Sequence, residues 1–259
     1  MYTKILVSIF ILITIIYIII GMLLFFNQKT MLYYPNNQDF DKCDGFNEYE
    51  KINFNGTRFY FKNNNKDKVI VYYHGNAGSA CDRSYFKSIF EKSNASLVFV
   101  EYAGYSNDTV RPSKNLILKD AINIKNYIEE KGYKKIIIYG ESIGSGPASY
   151  HASIGNVNKL ILTTPFGKLV DLVQSKYIIY PANILLKEKF DNIKYLQNYE
   201  GSLLILHGDN DLVIPNKFSK KLFEKVPSKD KKYILIKNKG HNNIWSSPLF
   251  QEKIIENIK

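Results

Sequence analysis

From Ile5 to Phe26 the chain carries 22 consecutive residues without a charge. As an α-helix rising about 1.5 Å per residue, such a run reaches across the ~30 Å hydrocarbon core of a bilayer. A buried core helix would show polar residues along one face. A cleaved signal peptide would have a shorter apolar stretch with small residues before the cleavage point, and Phe26-Asn27-Gln28-Lys29 offers none. The expectation is therefore an uncleaved, single-pass signal anchor over residues 1–26, with membrane localisation. The side on which the rest of the chain lies stays open, because Lys4 and Lys29 nearly balance across the run. Three sequons, Asn55-Gly56-Thr57, Asn94-Ala95-Ser96 and Asn107-Asp108-Thr109, do not decide it, since a chain this rich in Asn produces such triplets by chance.

The rest of the chain is long enough for one full-sized domain and too short for two large ones. Residues 27–45 read as a juxtamembrane linker and 46–259 as a single domain. Two cysteines, Cys43 and Cys81, cannot form a disulfide framework on this scale, and their spacing leaves open whether they pair. The net charge of +11 invites a nucleic-acid reading, but 32 of the 35 basic residues are Lys, spread along the chain. A nucleic-acid surface favours clustered charge and Arg, whose planar fork matches phosphate, so no nucleic-acid partner is expected.

Beyond residue 46 the chain alternates short β-branched or aromatic runs with longer amphipathic ones. Val69 to Tyr73, Leu97 to Tyr102, Lys135 to Tyr139, Lys159 to Thr163, Ser202 to His207 and Tyr233 to Ile236 read as buried parallel strands. Lys114 to Lys131 and Asn216 to Val226 have helical spacing. Glu48 to Phe54 and Thr57 to Phe61 flank Asn55-Gly56, the strongest two-residue hairpin signal. The fold class is α/β, a mostly parallel sheet with helices on both faces.

The chemistry begins where one strand ends. Ile136-Ile137-Ile138-Tyr139 runs into Gly140-Glu141-Ser142-Ile143-Gly144, a G-x-S-x-G motif at a strand-to-helix turn. Side chains at the flanking positions of such an elbow would collide with the neighbouring strand and helix, which accounts for Gly140 and Gly144. Ser142 is the candidate nucleophile. A serine hydroxyl needs a base to take its proton, and the chain has four histidines: His74, His151, His207 and His241. The order serine, acid, histidine removes His74. His151 falls in the helix after the elbow and suits packing, and His207 closes a strand and supports a turn. His241 lies in a polar loop after the last strand, where it can reach Ser142. The carboxylate that orients it is Asp211 or Asp209 at the end of the preceding strand, and Asp211 is preferred.

An acyl-transfer site also needs donors for a developing oxyanion. The loop His74-Gly75-Asn76-Ala77-Gly78 supplies Asn76 or Ala77, and Ile143 follows the nucleophile. Phosphate-binding glycine patterns and metal-ligand spacings are both lacking, so neither a metal nor a cofactor is expected.

These residues carry a resemblance. The chain resembles the α/β-hydrolase superfamily, and within it the small membrane-anchored α/β-hydrolase domain proteins of the yeast bud-emergence type. The likeness rests on the apolar N-terminus, Gln28 to Pro35, Tyr73 to Gly78, Glu101 to Ser106, the Gly140–Gly144 elbow, Thr164-Pro165-Phe166, His207-Gly208 with Asp211, and Gly240-His241. It implies a serine hydrolase of esterase, lipase or thioesterase type, and it favours Asp211 over Asp209. The chain departs from the family pattern in this segment, with Ala103 at a variable position where Arg is common, a change that leaves the expected triad intact and bears on the rim of the pocket.

Specificity is the least legible part. Residues 166–200 hold the expected small lid, and Leu169, Val170, Leu172, Val173, Tyr177, Ile178 and Ile179 are candidates for an acyl pocket or for packing. The expected activity is cleavage of a carboxylic ester or thioester of a small or lipid-like substrate. A depalmitoylase, a peptidase or a catalytically idle scaffold are the alternatives. Oligomeric state is not read from this sequence.

Overall fold

The computed structural model describes residues 2–259; Met1, the first residue of the expected anchor, lies outside them. Helix α1, Tyr2–Leu32, is long and apolar enough to cross a membrane and buries none of its residues completely. It runs six residues past Phe26, because Lys29 interrupts the apolar run without disfavouring helix, whereas Pro35 ends it.

Eight strands follow: β1 (Glu50–Phe54), β2 (Thr57–Lys62), β3 (Lys68–Tyr73), β4 (Ser96–Glu101), β5 (Lys135–Glu141), β6 (Lys159–Thr163), β7 (Ser202–Gly208) and β8 (Lys231–Ile236). They form one sheet in the order β8-β7-β6-β5-β3-β4-β2-β1, antiparallel at β1 and β2 and parallel elsewhere. The β1–β2 turn places Asn55 and Gly56 at φ 52° and 88°, the left-handed pair a two-residue hairpin requires. Alternation along β3 divides the core. Val69, Val71 and Tyr73 face a cluster with α2 (Lys114–Glu130), α3 (Ser145–Ile154) and α5 (Lys217–Lys225), while Ile70 and Tyr72 face Phe86, Phe90 and α6 (Pro248–Ile258). The strands and the two long helices expected from the sequence are present with ends shifted by one or two residues. α4 (Leu169–Lys176) and two single helical turns make up the lid region.

Residues 27–45 depart from the expected linker. After α1, Tyr34 and Pro35 pair with Ala77 and Gly78, and Tyr33, Phe40, Cys43 and Phe46 are buried. Short turns carry these residues inward, so no periodic pattern announces them. Cys43 and Cys81 form a disulfide that ties this segment to the turn leading into β4. Thiol-reactive maleimide is expected to modify neither cysteine until a reductant is added, read as a mass shift. Replacing both by Ser is expected to lower stability by about 4 kcal/mol, the size set by closing a loop of this length.

Two buried titratable groups brace the fold. Asp120 of α2 accepts hydrogen bonds from the Thr57 hydroxyl (2.7 Å) and the Ala103 N–H (2.9 Å), fastening the hairpin to the loop after β4. Burial outweighs these bonds and raises its carboxyl to about 7. Because the folded state holds this proton more tightly than the unfolded chain, its stabilising contribution is complete below about pH 4 and is lost as pH rises toward 7. Urea unfolding in mild detergent should therefore show Asp120→Asn gaining about 2 kcal/mol on the parent between pH 5 and pH 8. The parent comparison isolates this group from His151. That ring is driven down to about 3 by burial, and its Nδ1 shares a hydrogen bond with the Tyr73 hydroxyl at 2.8 Å, the packing role expected of it.

Candidate active site

β5 delivers Ser142 at the carboxyl edge of the sheet, and α3 begins three residues later. Ser142 has φ 52°, a left-handed conformation that non-glycine residues adopt at a cost and that turns the hydroxyl out of the elbow. The flanking glycines are required by close approach. A Cβ on Gly144 would stand 2.3 Å from the Tyr73 carbonyl oxygen, and one on Gly140 2.6 Å from the Ala148 Cβ.

His241, in the loop after β8, lies with Nε2 2.9 Å from Ser142 Oγ and Nδ1 2.7 Å from Asp211 Oδ2. Ser142, His241 and Asp211 thus form one line of hydrogen bonds across residues 99 and 30 positions apart in sequence. Asp211 is further held by the N–H groups of Val213 and Ile214 on Oδ1, at 2.9 and 2.8 Å. Nε2 of His207 stands 3.1 Å from Oδ2 and 2.8 Å from the Ile214 carbonyl oxygen. Burial alone would raise the Asp211 carboxyl, but the bonds from His207 and His241 and the backbone hold it well below the usual carboxylate range. Asp209 stays outside this line; its Oδ1 accepts from the Lys239 N–H at 3.4 Å. His207 serves the turn, as expected, and adds a contact to the acid.

The expected oxyanion residues separate. Asn76 and Ile143 line the same cavity as Ser142, whereas Ala77 is exposed, outside the cavity lining and paired with Tyr34. Asn76 is held from two sides: its carbonyl accepts from the Tyr105 hydroxyl (2.8 Å) and the Tyr34 N–H (2.9 Å), and its side chain donates to the Leu32 carbonyl (3.1 Å). Tyr102 pins the same loop through the His74 carbonyl at 2.7 Å. Glu141 of the elbow accepts from the Gly75 N–H (3.0 Å) and from Arg83 Nε (2.6 Å). Burial opposes its charge, yet the Arg83 guanidinium and the Gly75 N–H hold the carboxyl below its ordinary value. This brace joins the loop that carries Asn76 to the elbow. Arg83 escapes sequence reading because it sits in an irregular turn; Tyr102 and Tyr105 lie in the Glu101–Ser106 motif but carry no signal of what they hold.

The cavity at Ser142 has a volume of about 270 Å³ and mostly apolar walls. Of the expected pocket residues, Leu169, Leu172, Val173 and Tyr177 line it. Val170, Ile178 and Ile179 do not, and the latter two are exposed. Among the described residues no cluster of His, Cys, Asp and Glu suits a metal ion.

Comparison with known proteins bears on the fold. No family model matches the chain. An alpha/beta hydrolase, L404, of Acanthamoeba polyphaga mimivirus is 27% identical over 194 residues, 71% of each chain. The chain belongs to the α/β-hydrolase superfamily. The lysophosphatidylserine lipase ABHD12 of Xenopus tropicalis is 27% identical to this hydrolase over 60% of its chain and 46% of the relative, about half of that longer protein. A monoacylglycerol lipase of Paleococcus ferrophilus has the same fold, with a TM-score of 0.61 over 78% of this chain and 98% of the other at 17% identity. The α/β-hydrolase is of the esterase and lipase type.

Proposed function

We propose that this α/β-hydrolase is a membrane-anchored serine hydrolase that cleaves lipid-like carboxylic esters or thioesters through Ser142, His241 and Asp211. The bud-emergence-type likeness belongs to the same proposal, as does the division into anchor and a catalytic domain over residues 46–259. The observation that carries it is the unbroken hydrogen-bond line from Asp211 Oδ2 through both ring nitrogens of His241 to Ser142 Oγ, at 2.7 and 2.9 Å. It ends at the mouth of an apolar cavity.

The chemistry follows from the geometry. Ser142 Oγ attacks the acyl carbonyl carbon while His241 Nε2 takes the hydroxyl proton. The charge that develops on the carbonyl oxygen is met by the N–H groups of Ile143 and Asn76. The tetrahedral intermediate collapses, the proton passes from His241 to the leaving alkoxide or thiolate, and an acyl-serine ester remains. Water then attacks that ester with His241 again as base, releasing the carboxylic acid. Asp211 keeps Nδ1 protonated throughout, so Nε2 is the basic nitrogen, and its own lowered pKa keeps it ionised at neutral pH.

Lipid-like substrates are supported by the apolar lining and by the names of the lipase relatives. A fluorophosphonate probe is expected to label the full-length protein on Ser142; absence of labelling in folded protein would refute the reading. A catalytically idle scaffold predicts that absence.

A further inference from the structure

Helix α1 does more than tether. Over its whole length the partly covered residues are Gly21, Leu24, Phe25, Gln28 and Leu32, spaced as a single helical stripe. Leu24, Phe25, Gln28 and Leu32 line the cavity that contains Ser142. The other side of that cavity is the lid, and the lid lies along α1 rather than above it. Tyr17 and Tyr180 stack at 4.7 Å, the Tyr17 hydroxyl donates to the Ile179 carbonyl at 2.8 Å, and the Tyr180 hydroxyl donates to the Tyr17 carbonyl at 3.1 Å. At the other end Gln28 donates to the Leu185 carbonyl at 3.3 Å and accepts from the Lys187 N–H at 2.6 Å. Gly21 permits the approach, since a Cβ there would already meet the Tyr180 ring at 3.2 Å.

The depth of this contact is informative. Tyr17 to Gln28 is about 16 Å of helix, half of a ~30 Å hydrocarbon core, and Asn27-Gln28-Lys29 is the polar end. With residues 5–26 spanning the bilayer, lid residues 177–184 lie inside one leaflet. Two independent features fit that depth. Ile178, Ile179 and Ile184 turn outward and are 79%, 69% and 71% exposed, an apolar surface unsuited to water. The carbonyls of this irregular loop are satisfied internally as hydrocarbon demands: Tyr177 and Ile178 by the Gln174 amide, at 3.3 and 3.1 Å, and Ile179 by Tyr17.

We propose that α1 and the immersed lid form an acyl channel through which a bilayer lipid ester passes its chain directly from the leaflet to Ser142, without crossing water. The inference rests on the serine-hydrolase reading for its chemistry, while the immersion of the lid stands apart from it. Leu24 and Phe25, at the membrane end of the channel, are substrate-binding residues that select long acyl chains; Ser142, Ile143 and Asn76 stand at the other end.

The test uses full-length protein in phosphatidylcholine vesicles. Leu24→Trp is expected to reduce hydrolysis of vesicle-embedded monooleoylglycerol at least tenfold relative to that of soluble p-nitrophenyl butyrate. An unchanged ratio would overturn the channel, as would a parent enzyme that cleaves the butyrate and leaves the embedded lipid untouched. A second measurement needs no catalysis. Ile179→Trp, in a Trp245→Phe background, is expected to be quenched by lipids brominated on their acyl chains and shielded from aqueous iodide. The reverse pattern overturns the immersion of the lid. Loss of labelling in the parent would sink the serine-hydrolase reading alone, leaving the quenching result to decide the depth.

Discussion

Ser142→Ala is expected to abolish fluorophosphonate labelling and to lower kcat for ester hydrolysis by a factor on the order of 10⁴ to 10⁶, the range seen when a serine nucleophile is removed. The fold should survive, because the Ser142 hydroxyl bonds only to His241 and alanine adopts the same φ at comparable cost. The small activity that persists would come from substrate held against the Ile143 and Asn76 N–H groups. No neighbour can substitute for it. The Ser145 hydroxyl, closest in sequence, is buried, donating to the Ser142 carbonyl at 2.6 Å and accepting from Asn192 at 3.0 Å. Labelling retained in Ser142→Ala would place the nucleophile elsewhere and remove the basis of the proposed mechanism. His241→Ala should show a comparable loss, and combining the two should add little, since neither residue acts without the other.

Asp211→Asn should be the next most damaging change, lowering kcat about 10⁴-fold with KM nearly unaltered. The two carboxylate oxygens receive donors from opposite sides: the Val213 and Ile214 N–H groups on Oδ1, and His241 with His207 on Oδ2. An amide can present oxygen to only one pair and must aim its NH₂ at the other. If the NH₂ faces His241, the ring adopts the opposite tautomer and Nε2 carries a proton when it should accept one. Asp209→Asn distinguishes the two candidates, because its one long bond to Lys239 predicts a change within about fivefold. The lowered pKa of Asp211 adds a stability effect of definite sign. Its contribution is present above the ordinary carboxylate range and is lost as pH falls through and below it, so acid unfolding should begin at higher pH in Asp211→Asn than in the parent.

How far the chain could be read without its structure depended on whether a feature is local. The elbow was legible because Gly140, Ser142 and Gly144 answer steric demands made within a few residues. Five of the six parallel strands were legible because they are buried on both faces and so are largely apolar, and the edge strand β8 because Tyr233 to Ile236 form a short apolar run. Chain order removed only His74, His241 stood out by its loop after the last strand, and Asp211 was favoured over Asp209 by the family resemblance, while their meeting at 2.7 Å is a product of sheet topology. Arg83 bracing Glu141, the Cys43–Cys81 bond and the packing of residues 33–46 all join distant segments that have no period, so nothing in their own neighbourhoods marks them. The lid shows the same limit from the other side. Its apolar residues were visible, but which of them line the cavity and which turn outward depends on α1, a partner that composition marks only as an anchor.

The disulfide between Cys43 and Cys81 uses both thiols of the chain, which leaves no free cysteine. Such a bond persists where the cytosolic glutathione pool does not reach. In the membrane-anchored arrangement proposed above, the domain would stand on the lumenal or extracellular side, with the N-terminus of α1 towards the cytosol. That assigns a sidedness to the reaction itself. On the proposed immersion of the lid, the leaflet it samples would be the one turned away from the cytosol, so lipids confined to the cytosolic leaflet would be spared whatever their chemistry, and transbilayer movement, not affinity, would decide which of them become substrates.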